Sequence, residues 1–228
     1  MKFPIIITRT QPGADEQAAF LQAHGFSHIV NPVLTITHHV IPTEREADAL
    51  LVTSTHALPA ARLYANLPLF CVGEATAKKA TALGLNVVAY ASDAVSLSAV
   101  MQTKLLPGRK IFYLSGDVTR HNMQSLLCGH TVTRHIAYTA EPQPLLPATI
   151  EAIRNSDLFG VILMSPRTAK LWLQALAIHQ LEHKQHIWFC LSPDIAKLHP
   201  SHVLTAVARE PTQDSILSLV ADYHWQPA

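Results

Sequence analysis

Cysteine is scarce in this sequence and forms no recognisable pattern. The 228 residues include three cysteines, Cys71, Cys128 and Cys190. They are odd in number and widely spaced, and no CxxC pair occurs, so neither a disulfide framework nor a cysteine zinc site is indicated. Such usage is typical of a reducing compartment, and we expect a cytoplasmic protein.

Long apolar segments are also missing. The run at residues 3–7, FPIII, is far shorter than the apolar part of a secretion signal and is soon followed by Arg9. No segment reaches the roughly 18 apolar residues that a membrane-spanning helix needs. We therefore expect neither export nor a membrane partner.

The chain has no marked excess of charge of either sign. Seventeen Lys and Arg face 16 Asp and Glu, which gives a formal net charge of +1. A nucleic-acid binder would normally show a basic face and a high pI, and a disordered chain would be poorer in apolar residues than the 49% found here. Fourteen histidines are scattered without an HExxH motif, so no metal site is expected.

The common cofactor and hydrolase motifs are absent. There is no GxGxxG, no GxxxxGK[ST] and no GxSxG, which argues against nucleotide cofactors, phosphoryl transfer and α/β-hydrolase chemistry. No carboxylate pair stands out as an acid and base couple, and Cys71 and Cys190 fall inside predicted strands. We expect no cofactor.

What the sequence does contain is a regular alternation of short apolar runs and helical stretches. Helices are predicted over Ala14–His24 and Glu74–Leu83, each followed by a glycine that suits a helix C-terminus. Continuous apolar runs are typical of strands covered on both faces of a parallel sheet, so the alternation predicts a doubly wound α/β architecture. The predicted strands are Ile5–Thr8, Ile29–Val33, Leu50–Thr53, Leu69–Val72, Val87–Tyr90, Ile111–Leu114, Thr131–Tyr138, Val161–Met164, Ile187–Leu191 and Val203–Val207.

These strands are too many for one small sheet, and the sequence resembles itself. Leu51–Ser54 is similar to Ile162–Ser165, and Phe70–Lys78 is similar to Phe189–Lys197. Ser96-Leu97 and Ser215-Ile216 then follow in the same order. The order favours a duplication, although strand–helix–strand units can also resemble one another by chance.

Hydroxyls, glycines and two arginines collect where the predicted strands end. In an open parallel sheet that edge binds ligands, and helix N-termini there favour anions. Helix capping alone is an alternative reason for any single Ser or Thr. The candidate binding residues are Thr8, Arg9, Thr53, Ser54, Gly73, Thr76, Ser115, Ser165, Arg167 and Ser192.

Several of these segments, in their order, resemble the uroporphyrinogen-III synthase family over nearly the whole chain. They are Thr8-Arg9, Thr53-Ser54, Val72–Ala77, Ile136–Thr139 and Ser165-Pro166. The resemblance implies two similar flavodoxin-like domains, each a doubly wound parallel sheet of about five strands, joined by a two-strand connector. One domain would comprise residues 1–35 plus 140–228, the other 36–139, and the connector would lie near 35–39 and 136–140. It also implies a monomer.

The resemblance further implies a cofactor-independent lyase of haem biosynthesis. Such an enzyme closes hydroxymethylbilane to uroporphyrinogen III with loss of water and inversion of ring D, and would receive its substrate from the preceding pathway enzyme. Tyr138 matches the family's tyrosine and is the candidate weak acid or hydrogen-bond donor for the departing hydroxyl. A Tyr that only packs where the connector meets a domain is the alternative. The binding residues above would hold carboxylates or pyrrole N–H groups.

Two segments depart from the family pattern. Ser192–Ile195 stands where the family has Gly followed by a Thr-rich turn, and the acidic Asp194 would oppose a carboxylate there. Arg9 is followed by Thr10-Gln11 before Pro12, rather than directly by proline.

Two other functions fit the same sequence features. A non-catalytic cytoplasmic two-domain binding protein or sensor for a small polyanion would use the same anion-friendly edges. It would tolerate Tyr138→Phe and would not change the isomer formed from hydroxymethylbilane. A two-domain glycosyltransferase is disfavoured by the small size and by the lack of a sugar-nucleotide motif.

Overall fold

The computed structural model describes residues 3–42 and 46–223. Within these ranges the chain forms strands and helices in alternation. The strands are β1 (Ile5–Ile7), β2 (His28–Val30), β3 (Leu34–His38), β4 (Ala49–Val52), β5 (Leu69–Val72), β6 (Val87–Ala91), β7 (Lys110–Gly116), β8 (Thr131–Pro142), β9 (Phe159–Leu163), β10 (His186–Cys190) and β11 (Leu204–Val207). The α-helices are α1 (Gly13–Ala23), α2 (Leu58–Ala61), α3 (Glu74–Ala82), α4 (Ala94–Lys104), α5 (Met123–Leu126), α6 (Pro147–Asn155), α7 (Pro166–Ile178), α8 (Pro193–Ala196) and α9 (Gln213–Asp222).

By their contacts these elements divide into two compact units. The first unit comprises residues 1–35 and 141–228, and the second unit comprises residues 36–140. The chain passes from the first unit to the second after β2 and returns near the end of β8. That the units are separate domains with the predicted boundaries stays a prediction.

The first unit is built on a five-stranded sheet in the order β2-β1-β9-β10-β11. All four neighbouring pairs are parallel. Helices cover both faces of the sheet. Because side chains alternate across a strand, Ile6 packs into a core with α7, whereas Ile5 and Ile7 pack into another core with α1 and α9. The continuous isoleucine run of β1 is therefore buried on both sides, as expected for a parallel strand.

The second unit contains a six-stranded sheet in the order β3-β8-β7-β4-β5-β6. The strands from β8 to β6 are parallel to their neighbours. Leu50 and Val52 of β4 face one core with α2 and α3, and Leu51 faces another with α4 and α5. This sheet too is covered on both faces.

The predicted α/β class with parallel sheets is confirmed, and each predicted strand overlaps an observed one. The second sheet has a sixth strand at its edge, β3, which lies where the resemblance implies a connector strand near residues 35–39. The sequence LTITH of β3 is short and mostly exposed, so it lacks the apolar run on which the other predictions relied. In residues 3–42 and 46–223 no helix combines the length and apolar character needed to cross a membrane.

Candidate active site

The carboxyl ends of three adjacent strands of the second sheet carry predicted site residues. Thr53 and Ser54 follow β4, Gly73 follows β5, and Ser115 lies at the end of β7. Because these strands are parallel neighbours in the order β7-β4-β5, their carboxyl ends lie at one edge of the sheet. Tyr138 reaches the same edge from β8, the strand beside β7. The structure thus brings these five residues to one edge.

Tyr138 lies directly against the backbone of Gly116. A Cβ atom built on Gly116 would be 2.8 Å from Cζ and 2.9 Å from Oη of Tyr138. The ring therefore occupies the space that the Cβ of any other residue at position 116 would need. The β7–β8 register shifts at this point, from Ser115 opposite Ile136 to Gly116 opposite Tyr138. Such irregularities redirect side chains, and this one leaves Tyr138 opposite the one residue without a side chain.

The Tyr138 hydroxyl has no hydrogen-bond partner among residues 3–42 and 46–223. The ring is half-buried against the core of the second unit. It also lies near the His56 ring, with the two ring centroids 5.5 Å apart and the ring planes tilted by 56°. A phenol hydroxyl can both donate and accept a hydrogen bond. The hydroxyl is therefore open to a ligand, as a group that donates to a leaving oxygen must be.

Thr53 and Ser54 are tied into the strand end in different ways. The Thr53 hydroxyl and the Tyr113 hydroxyl are 3.2 Å apart and share a hydrogen bond. Ser54 caps the 3₁₀ turn of residues 55–57, because its hydroxyl accepts a bond from the amide of His56 at 3.3 Å. Burial raises the pKa of Tyr113, opposed by the Thr53 hydrogen bond and by the charge of Arg134. Tyr113 therefore stays protonated.

Ser115 is buried, and its hydroxyl is used within the protein. It accepts a bond from Nε of Arg134 at 2.9 Å and donates to the carbonyl of Gly116 at 2.9 Å. In this conformation the hydroxyl is not available to a ligand, and the predicted binding role of Ser115 stays a prediction.

Gly73 and Thr76 form the start of α3. Gly73 has a φ of +86°, which a side chain would disfavour, and Thr76 is buried in the first turn behind it. A helix N-terminus presents free amides and a partial positive charge to an anion. Glu74, at the helix start, is exposed and paired with Lys78 at 3.0 Å, so its charge is directed along the helix surface.

In the first unit Thr8 and Arg9 follow β1, and both have protein partners. The Thr8 hydroxyl donates to the carbonyl of Ile162 at 2.7 Å and is buried. Arg9 lies over Gly13 and donates to Gln213, whose amide donates to Glu16. Burial lowers the pKa of Arg9, opposed by the charge of Glu16. In this conformation Thr8 therefore links β1 to β9, and Arg9 braces α1 and α9.

Ser165, Arg167 and Ser192 lie at the ends of β9 and β10. Ser165 begins α7 with a capping box, in which its hydroxyl accepts from the amide of Thr168 and its own amide donates to the Thr168 hydroxyl, each at 3.1 Å. Arg167 is half-buried in the first turn of the same helix. Ser192 begins α8 but makes no capping bond with its side chain. The acidic residue of the divergent turn, Asp194, is exposed and paired with Lys197 at 2.8 Å.

Three residues of this edge were not predicted from the sequence: His56, Tyr113 and Arg134. Tyr113 was foreseeable, because it lies two positions before Ser115 on a predicted strand and so shares its face. His56 and Arg134 carried no such signal, since their positions depend on the turn after β4 and on the β7–β8 register. No group of three or more His, Cys, Asp or Glu side chains in the described part of the chain is arranged to hold a metal ion.

Comparisons with known proteins give a consistent result. The family model of uroporphyrinogen-III synthase HemD matches residues 15–218. A search of curated protein sequences gives no match. Among solved structures, uroporphyrinogen-III synthetase from Helicobacter pylori is similar over 96% of this chain and 98% of its own, with a TM-score of 0.65 and 15% identity. A mutant uroporphyrinogen III synthase from Thermus thermophilus is similar over 96% of each chain, with a TM-score of 0.56 and 14% identity.

At these identities the similarity to the solved structures shows a shared fold. The family model is matched by the amino-acid sequence and therefore shows family membership. That model spans most of the chain, from the first turn of α1 to within α9. The chain therefore belongs to the uroporphyrinogen-III synthase family.

Proposed function

We propose that the chain closes hydroxymethylbilane to uroporphyrinogen III, and that Tyr138 assists the departure of the substrate hydroxyl. The family match over residues 15–218 supports the reaction. The observation that supports the role of Tyr138 is its hydroxyl at the edge of the second sheet, without a protein partner among the described residues and held against Gly116.

Catalysis begins as the C–O bond of the hydroxymethyl group breaks. If Tyr138 gives its proton to the departing oxygen, water leaves, and the pyrrole N–H returns a proton to the phenolate as the ring becomes an azafulvene. If Tyr138 only donates a hydrogen bond, the oxygen leaves as hydroxide and takes up the pyrrole N–H proton to become water. The chain's second task is to hold the substrate so that ring D closes through a spiro intermediate and turns over. The unassisted molecule already closes to the uninverted isomer, so positioning decides the product. A preference of only ~1.4 kcal/mol changes the isomer ratio tenfold.

We assign substrate binding to hydroxyls and backbone amides at the two sheet edges, with the arginines as charged partners. In the second unit the amides at the start of α3, together with Thr53, Ser54, Gly73 and Thr76, suit carboxylates or pyrrole N–H groups. In the first unit the residues proposed to bind substrate are Ser165, Arg167 and Ser192. Thr8, Arg9, Ser115 and Ser165 make protein hydrogen bonds, which they would exchange for bonds to substrate.

We propose further that both units are flavodoxin-like. In the first unit the order β2-β1-β9-β10-β11 is the 2-1-3-4-5 order of that fold. In the second unit the order β8-β7-β4-β5-β6 matches it strand for strand once β4, β5 and β6 correspond to β9, β10 and β11. That correspondence agrees with the sequence similarity of Leu51–Ser54 to Ile162–Ser165 and supports a duplication. The proposed connector is the pair formed by β3 and the end of β8.

A cytoplasmic location, a monomeric state and transfer of substrate from the preceding pathway enzyme also stay proposals. The three cysteines are free thiols in the structure, which supports a reducing compartment. Burial raises the pKa of Cys71 to about 11 and that of Cys190 to about 12, so both remain unreactive thiols in the two cores.

The test is to supply freshly made hydroxymethylbilane to the purified protein and quantify the uroporphyrin isomers after oxidation. We expect predominantly type III product. Type I alone, at the rate of the protein-free control, would refute the enzymatic function and favour a polyanion-binding protein.

The role of Tyr138 is tested in the same assay with Tyr138→Phe. We expect kcat to fall by roughly 10²–10⁴-fold, the range that positioned proton donors contribute. Tyr90→Phe is the matched control, because Tyr90 is 51% exposed on β6, the edge strand of the same sheet. Equal activity of the two variants would contradict the assignment of Tyr138.

A further inference from the structure

One arginine side chain binds three consecutive residues at the end of β7. Arg134 on β8 donates through Nε to the Ser115 hydroxyl at 2.9 Å. Its Nη2 donates to the carbonyl of Gly116 at 2.7 Å and to the carbonyl of Asp117 at 2.6 Å. Arg134 itself lies opposite Tyr113 in the strand register. The guanidinium therefore holds the segment 115–117 to the neighbouring strand.

The same segment supports Tyr138. Gly116 lies against the Tyr138 ring, and the amide of Asp117 donates to the carbonyl of Tyr138 at 3.1 Å. The strand register shifts between Ser115 and Gly116, so the regular pairing of β7 with β8 is interrupted where the ring is seated. The arginine bonds span that interruption, one before it and two after it.

An arginine is suited to this task in a way that a lysine is not. Its planar guanidinium presents donors in a fixed fork, so one side chain bonds several acceptors in a defined geometry. A lysine ammonium on a flexible stem would keep the charge without fixing the three acceptors relative to one another. Hydrogen bonds from a charged donor are also about twice as strong as neutral ones.

We propose that Arg134 is a positioning residue, which fixes the Ser115–Asp117 segment and through it the place of the Tyr138 hydroxyl. The inference rests on the proposed function, because it assigns Arg134 a task only if Tyr138 acts on the substrate. Arg134 is exposed. A guanidinium that instead bound a substrate carboxylate would act on affinity, and the two roles separate in the kinetics.

The experiment measures kcat, KM and the type III fraction for Arg134→Gln and Arg134→Lys. The matched control is Arg109→Gln, because Arg109 bonds Asp48 at 2.9 Å at the start of β7, the opposite end of that strand. We expect both Arg134 variants to lose roughly tenfold in kcat with KM within about twofold of the parent, since small misplacements of reacting groups reduce rate. Arg109→Gln should retain the parent kcat. Thermal unfolding establishes that each variant is folded.

A double-variant cycle with Tyr138→Phe completes the test. If Arg134 acts through the Tyr138 hydroxyl, Arg134→Gln should lower kcat by less than twofold in the Tyr138→Phe background. Equal losses in both backgrounds, an unchanged kcat in the single variants, or a raised KM that Arg134→Lys restores would each overturn the proposal. Failure of the proposed function itself is recognised separately, because the parent protein would then form no type III product, or Tyr138→Phe alone would leave kcat unchanged.

Discussion

Replacing Gly116 by alanine tests the close approach of Tyr138 to the β7 backbone. The substitution adds one methyl group and no charge. Gly116 does not have a positive φ, unlike Gly73 and Gly84, so alanine fits its backbone conformation. Apart from the small gain in stability that Gly→Ala brings by restricting the unfolded chain, any effect of the substitution must come from what the added Cβ meets.

The structure gives the size of that conflict. The Cβ would be 2.8 Å from Cζ and 2.9 Å from Cε2 of Tyr138, whereas carbon atoms in contact are normally about 3.5–4.0 Å apart. The ring must therefore move by roughly 0.7–1 Å, or the strand must shift. A displacement of this order can cost about 10²-fold in rate. The free energy of unfolding should fall by about 1–3 kcal/mol if the ring is retained, and by less if the half-buried ring turns outward.

Gly116→Ala is best compared with Gly129→Ala. Gly129 lies in the same unit and is exposed, and a Cβ there would meet no atom within 4 Å. We expect Gly116→Ala to lower kcat for type III formation by roughly 10–100-fold and to raise the fraction of type I product. Gly129→Ala should keep the parent kcat and unfold within about 0.5 kcal/mol of the parent.

The reasoning would be refuted if Gly116→Ala kept kcat within twofold of the parent while remaining folded. A loss of the same size in the Tyr138→Phe background would also refute it, because the added methyl would then act on something other than the tyrosine hydroxyl.

Three further predictions concern stability. Ser165→Ala removes the capping hydroxyl of α7 and should lower the free energy of unfolding by about 1 kcal/mol in urea titrations; a change below 0.3 kcal/mol would contradict this role. Gly160→Ala would place a Cβ 2.6 Å from Cδ1 of Ile5 and should cost about 1–3 kcal/mol in the same assay, whereas a neutral result would mean that the Ile5 side chain can rotate away from β9. Burial lowers the pKa of His186 from its ordinary 6.5, so the unfolded chain takes up a proton more readily and stability should fall as the pH drops below about 6.5. His186→Gln should flatten this decline by up to ~1.4 kcal/mol per pH unit, and an unchanged slope would assign the decline to other groups.

The sequence predicted the fold well where burial is complete. Residues of β1 and β9 are apolar without interruption because both faces of each strand are covered, so the continuous apolar run was enough to identify these strands. The apolar pattern did not indicate β3, which only the family resemblance implied, as a connector strand near residues 35–39. The reason is the opposite one: only alternate residues are partly buried, and its partner, β8, lies about a hundred residues further along the chain. Pairing of that kind is decided by tertiary structure rather than by local pattern.

The candidate site was predictable in its location and less so in its contacts. The positions after β4, β5 and β7 follow from the geometry of parallel sheets, and Tyr138 followed from the family resemblance. The direction of each hydroxyl did not follow. Ser115 turns toward Arg134, and Thr8 turns toward the carbonyl of Ile162. Those partners are separated in sequence from the residues they bind, and for Ser115 a register shift intervenes.

The pairing of β1 with β9 has a consequence for how the chain is made. Ile5 lies opposite Gly160, so β1 and β9 can pair only after the whole second unit has left the ribosome. The second unit is continuous in sequence and can fold during synthesis, whereas the apolar strand Ile5–Ile7 must wait for β9 with only β2 and α1 beside it. Contacts so distant in sequence slow folding, and a waiting apolar strand is prone to aggregation. We therefore expect the early chain to need protection by chaperones until β9 emerges.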